Sequence, residues 1–193
     1  MARQKEFDQD EVLHKAMEVF WTRGYEGTSI QDLVEHTGIN RQSIYDTFGD
    51  KHSLFLQALD RYRAIQSRKV FAVLERPGSM KNNLRGLFRE AAARALTAEG
   101  RRGCFVGNSM SELSGRCKET ATRTCNSVAA AEKMLQRALE RGKEQGDFAG
   151  VRDPRAVARF LYSSLQGLIL MAKATRDRKL LNDVVKVTLS VLD

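Results

Sequence analysis

Arg41, Gln42, Ser43, Tyr45 and Thr47 fall within seven consecutive residues, with Lys51 four positions further on and Thr28-Ser29 a short way upstream. Arginine and glutamine carry donor and acceptor pairs that match base edges in a DNA groove. Serine, threonine and tyrosine hydroxyls suit phosphate oxygens and fix register on a duplex. Lys51 adds a point charge of the same use. Thr28 and Ser29 stand where a helix should begin, and the free amides of a helix start attract anions. Asp46 lies among them and departs from the pattern: it can accept from cytosine N4 but repels phosphate.

The sulfur and imidazole groups are sparser. Three cysteines, Cys104, Cys117 and Cys125, form no disulfide framework. Cys117 and Cys125, eight residues apart on one helix, are separated by roughly 12 Å of rise, too far to bond. Cys104 follows Arg101-Arg102-Gly103 at a helix start, where positive charge and the helix dipole favour thiolate. A redox or electrophile sensor at Cys104 therefore stands beside the plainer reading of a small buried residue. His14, His36 and His52 are scattered in sequence, and none neighbours a cysteine, so no metal site and no cofactor are expected.

Helical periodicity positions these residues, and no run of period-2 strands competes with it. A first helix is expected from Asp8, with an Asp8–Glu11 capping box and the stripe Val12, Ala16, Val19, Phe20, ending at Gly24. A second opens on a Thr28–Gln31 box and buries Ile30, Leu33 and Val34. A third runs from about Asn40 to Thr47, with Ile44 and Phe48 inward. Two short helices meeting at Thr37-Gly38-Ile39 form a helix-turn-helix, in which the second helix enters the major groove. A long fourth helix spans roughly Asp50 to Glu75, up to the breaker Arg76-Pro77-Gly78. Further helices are expected near 81–98, 103–114, 117–145, 154–174 and 178–192, the fourth of these opened by Asp153-Pro154. The last two are unusually apolar, which fits either burial in the core or packing against a second copy.

The string Ala16-(x)3-Phe20-(x)3-Gly24-Tyr25-(x)2-Thr28-Ser29-Ile30, followed by Val34, Gly38-Ile39, Ser43-Ile44-Tyr45, Phe48 and Lys51, closely resembles the TetR-family N-terminal domain over about residues 8–62. Gly103-Cys104-Phe105 and Phe160-(x)5-Gln166-Gly167 look like patterns of one broad TetR subgroup. The resemblance implies an all-α chain of about nine helices. Residues 1–49 would form the helix-turn-helix DNA-binding domain, and residues 50–193 the effector-binding and dimerisation domain. It also implies a homodimer through the two C-terminal helices, a double-stranded, palindromic DNA operator as partner, and repression of transcription released by a small molecule. The effector pocket is then expected among the fourth to eighth helices, with Tyr62, Cys104, Phe105, Asn108, Ser109, Glu112, Tyr162 and Gln166 as candidates.

Composition bounds the alternatives. The 193 residues carry a net charge of +8, yet residues 1–69 hold 10 Lys and Arg against 11 Asp and Glu, and the excess lies downstream. Bulk charge therefore does not identify a DNA-binding end, and an acidic head predicts weak non-specific affinity. No apolar run exceeds five residues, the length of Leu168 to Ala172, against the roughly 20 a membrane span needs. With no apolar stretch after Met1, a cytoplasmic protein is expected. An enzyme would need a nucleophile–base pair or a metal cluster, and the sequence carries no Gly-rich phosphate loop, His-Glu-x-x-His or Gly-x-Ser-x-Gly. A helical interaction protein that keeps this fold without a specific operator remains the other reading.

Overall fold

In the computed structural model, which describes residues 7–148 and 150–193, the first four helices each start on a polar cap. Asp8 accepts the Asp10 and Glu11 amides and opens α1 (Gln9–Arg23). Ser29 opens α2 (Ile30–Thr37), Asn40 opens α3 (Arg41–Phe48) and Asp50 opens α4 (Lys51–Phe71). Each such cap contributes about 1 kcal/mol. Helices the length of α2 and α3 do not persist alone in water. Their caps and the burial of Leu33, Ile44 and Phe48 hold them.

Two expected caps take a different form. The capping box of α2 is Ser29 with Asp32, not Thr28 with Gln31. Thr28 is buried, and its hydroxyl donates to the Gly24 carbonyl at 2.6 Å. At α1 only the Asp8 half of the box forms, because Glu11 turns to Lys15 at 2.7 Å.

The Asp32 carboxyl is lowered from 3.8 to about 2, chiefly by the Ser29 hydroxyl and amide, with Arg23 adding to them. A carboxyl depressed in the folded state stabilises that state fully above its unfolded value and loses the effect as pH falls through the folded one. Acid unfolding of the head should therefore show an Asp32 contribution lost between about pH 4 and pH 2. Asp32→Asn should remove that part of the profile in a circular-dichroism titration; an identical profile would count against it.

Beyond Phe71 the chain tightens into a 3-10 turn at Ala72–Glu75, where the sequence suggests a continuing α-helix. It continues through α5 (Met80–Ala95), a 3-10 turn at Gly100–Arg102, α6 (Phe105–Leu113), α7 (Lys118–Glu144), α8 (Pro154–Ala174) and α9 (Arg178–Leu189). A 3-10 turn at Ser190–Leu192 ends the chain. The fold is all-α, with no strand among the described residues.

Two apolar clusters organise the packing. In the first, Val12, Ala16, Phe20, Leu33, Ile44 and Phe48 meet Phe55, Leu59 and Tyr62 of α4 and Phe105 and Leu113 of α6. The second joins Phe71 to α5, α7, α8 and α9. Helix α4 thus belongs to both, its first turns packing with the helix-turn-helix and its end with the body. Each fully buried Phe or Leu in these clusters contributes about 1.5–3 kcal/mol. On the outside of α8 and α9, Phe160, Leu170, Met171 and Val187 remain 46–68% exposed. No helix among the described residues is long and apolar enough to cross a membrane.

Candidate nucleic-acid interface and adjoining cavity

Gly38 makes the turn between α2 and α3 possible: its φ of 79° lies in the left-handed region, where a Cβ would be strained. The turn sets α3 with Ile44 and Phe48 inward and Arg41, Gln42, Tyr45 and Asp46 outward. Tyr45 is 37% exposed on that outer face. The Arg41 guanidinium lies 5.9 Å from its ring centroid, a cation–π approach that draws the two side chains together. The Gln42 side-chain amide donates to Asp46 at 2.8 Å, so the acid of α3 engages the residue one turn before it.

Ser43 and Thr47 are half-buried on the same helix, and the Ser43 amide donates to the Asn40 cap. Lys51 stands over the Tyr25 ring with Nζ 4.3 Å from the centroid. Ser29 sits at the N-terminus of α2, its hydroxyl bonded to Asp32 at 2.6 Å. Thr28 differs from expectation: its hydroxyl turns inward to Gly24, away from the surface that Arg41, Gln42 and Tyr45 share.

Hydrogen bonds from Glu112 and Trp21 tie this head to the body. The Glu112 carboxylate of α6 accepts the Tyr25 amide at 3.0 Å and the Glu26 amide at 2.8 Å. Gly24 permits the approach, since a Cβ there would lie 2.9 Å from a Glu112 oxygen. The Trp21 indole of α1 donates to the Gly103 carbonyl at 2.9 Å, and the Arg102 guanidinium covers its ring at 3.9 Å.

Trp21 also forms one wall of a cavity of about 490 Å³, within the range of small-molecule sites. Tyr62 of α4, Cys104, and Tyr162 and Gln166 of α8, four of the sequence candidates, line it. Arg63, Arg94, Ala131, Met134 and Leu165, outside the effector candidates, line it as well. Their one signal was helical spacing, which marks a core equally well. Burial, and then the neighbouring Cys104, raises the Tyr62 phenol well above its usual value. Burial and then Cys104 likewise raise Tyr162. Both phenols stay protonated near neutrality and can donate to a guest.

The other four candidates face elsewhere. Phe105 is buried against Phe55 and Tyr62. Ser109, one helical turn on, is buried on that same face. Asn108 donates to the Arg102 carbonyl at 2.9 Å and accepts from Lys173 at 3.2 Å. Glu112 belongs to the head–body contact.

The fold also brings His52 of α4 to Cys117, the N-cap of α7, with Nε2 3.4 Å from Sγ. This corrects the sequence reading, in which no histidine neighbours a cysteine. The three cysteines carry free thiols.

Comparison with known proteins agrees with this geometry. The family profile described as bacterial regulatory proteins, tetR family, matches residues 12–58, and that of the tetracyclin repressor-like C-terminal domain matches residues 81–188. An uncharacterized HTH-type transcriptional regulator of Bacillus subtilis, YezE, is 42% identical over 100% of both chains. The HTH-type transcriptional repressor ComR of Escherichia coli is 32% identical over 97% of this chain and 90% of its own. Among solved structures, a cysteine mutant of the TetR family regulator CifR, complexed with a 26-bp double-strand operator DNA, superposes with a TM-score of 0.86 at 33% identity over 100% of both chains. The chain belongs to the TetR family and is a DNA-binding, helix-turn-helix transcriptional regulator.

Proposed function

We propose that this regulator is a repressor whose dimer holds a palindromic operator until a small molecule enters the cavity beside Trp21. The observation that carries the reading is α3, with Ile44 and Phe48 buried and Arg41, Gln42 and Tyr45 presented together outward. A relative of the same length has been solved on operator DNA, and curated relatives are repressors.

Arg41 and Gln42 read base edges, Tyr45 supports Arg41, and Ser29, Ser43, Thr47 and Lys51 hold phosphates. Residues 1–49 do the reading, and residues 50–193 sense and pair. The exposed apolar side chains of α8 and α9, Phe160, Leu170, Met171 and Val187, pack against a second copy, which makes the operator two-fold. A guest that fits only one head–body arrangement shifts the population toward it. The Trp21–Gly103 and Glu112–Tyr25 bonds carry that shift to the helix-turn-helix. The protein works in the cytoplasm and catalyses no reaction.

Fluorescence anisotropy on the DNA upstream of its own gene, at about 150 mM salt, tests this. Sub-micromolar binding that scrambled DNA does not compete is expected. Failure there and in selection from random DNA would leave a helical interaction protein in its place. The acidic head and the Gln42–Asp46 pair further predict a salt dependence shallower than that of a head making six to ten phosphate contacts.

A second reading concerns Cys104, which lines the cavity together with Tyr62. In it, oxidation or alkylation of Cys104 fills the place of the guest. Cys104→Ser should then abolish release by oxidants and electrophiles while leaving operator affinity intact. Full release in the variant removes this reading.

A further inference from the structure

The junction of head and body holds a cluster that neither DNA reading nor the cavity uses. Cys117 Sγ lies 3.4 Å from His52 Nε2 and 3.3 Å from Glu119 Oε2, and the three ligand atoms all lie within 4.8 Å of one another. We infer that His52, Cys117 and Glu119 form a zinc-class divalent-cation site that clamps the first turn of α4 to the first turn of α7.

The distances suit such an ion. Tetrahedral zinc, with bonds of about 2.3 Å to sulfur and about 2.0 Å to nitrogen or oxygen, sets its ligand atoms about 3.3–3.6 Å apart. Two of the three edges already have that length. The donor set also suits it: imidazole, thiolate and carboxylate together select borderline ions of the zinc type over magnesium or calcium. A thiolate and a carboxylate balance the two positive charges, and three protein ligands leave a fourth position for water.

Neighbouring groups hold the ligands in place. The His52 ring lies edge-on to Tyr25 at 5.7 Å and stacks with Phe55 at 6.3 Å, which limits its rotation. The Thr120 amide and hydroxyl point at the Cys117 sulfur from 3.4 and 3.3 Å and stabilise it as an anion. Ion binding breaks the thiol S–H bond, forms a sulfur–metal bond and passes the proton to solvent. The site joins segments 65 residues apart in sequence. One of them directly follows the recognition helix, so an ion here would fix the platform on which α3 rests.

Cobalt(II) titration of the reduced, chelator-treated, full-length protein tests the site. Expected is a thiolate-to-cobalt charge-transfer band with tetrahedral ligand-field absorption, saturating at one ion per protomer and displaced by zinc. Cys117→Ser, which keeps a hydroxyl to cap α7, and His52→Ala should both lose the band. Cys104→Ser and Cys125→Ser should keep it. Circular dichroism of each variant separates loss of the site from loss of the fold. A wild type without the band, or a band that survives Cys117→Ser, would overturn the inference. Operator titrations with and without zinc, which rest on the DNA-binding reading, should differ for the wild type and coincide for Cys117→Ser. Coincident wild-type curves would overturn a regulatory role while the spectra decide the site itself.

Discussion

Arg41→Ala should weaken operator binding by about 5- to 150-fold and relax the preference at one base position. That range corresponds to the about 1–3 kcal/mol of discrimination carried by a good bidentate arginine–guanine contact. Arg41 is the first residue of α3, the end that reaches base edges when such a helix lies in the major groove. It is exposed, and its guanidinium is already drawn toward Tyr45, which lowers the cost of ordering it on DNA. Anisotropy on the operator and on single-base variants would measure both effects. Equal affinity losses across all variants would instead make Arg41 a phosphate contact. Tyr45→Ala should then act in two ways, weakening all sequences and blunting the Arg41 preference, because it removes the surface on which the guanidinium rests.

Glu112→Ala should lower thermal stability and uncouple the head from the body. Its carboxylate serves two backbone amides, and hydrogen bonds to a charged group contribute about 1.5–3 kcal/mol each. The site is half-exposed, so water replaces part of that, and a net loss of about 1–3 kcal/mol is expected. For a chain of this size the loss corresponds to a Tm decrease of about 2–12 °C. Hydrogen exchange at the Tyr25 and Glu26 amides should accelerate, and release by effector should weaken more than operator affinity does. Gly24→Ala should resemble it, since φ of 78° strains any side chain and the new methyl would displace the same carboxylate. Unchanged exchange at the two amides would show that the contact is idle.

The contrast between Arg41 and Glu112 shows where sequence reasoning reaches. The face of α3 follows from 3.6-residue periodicity, a Gly turn and an Asn cap, all of them local. The cap of α2 shows the limit of local rules, because Thr28 and Ser29 both precede a suitable partner by three residues. Only packing decides: the Thr28 hydroxyl is drawn to Gly24 in the bend after α1, leaving Ser29 free to cap. Half of the candidates lie outside the cavity lining for a related reason. The α6 candidates do not share one face: Phe105 and Ser109 point into the core while Glu112 reaches the head. The Glu112–Tyr25 and Cys117–His52 contacts join residues 87 and 65 apart, and no pattern within either segment announces the other.

Trp21 is the chain's single tryptophan, and it stands where the head, the Arg102–Gly103 segment and the cavity wall meet. Indole emission responds to its hydrogen bond and to the polarity around it. A guest in the cavity and a shift of α1 both alter those conditions. The unlabelled protein therefore carries its own optical reporter at the joint through which release is proposed to act. A spectral change on adding a compound would mark it as a guest before any operator sequence is in hand. A Trp21→Phe protein that still releases DNA would assign the indole to reporting alone.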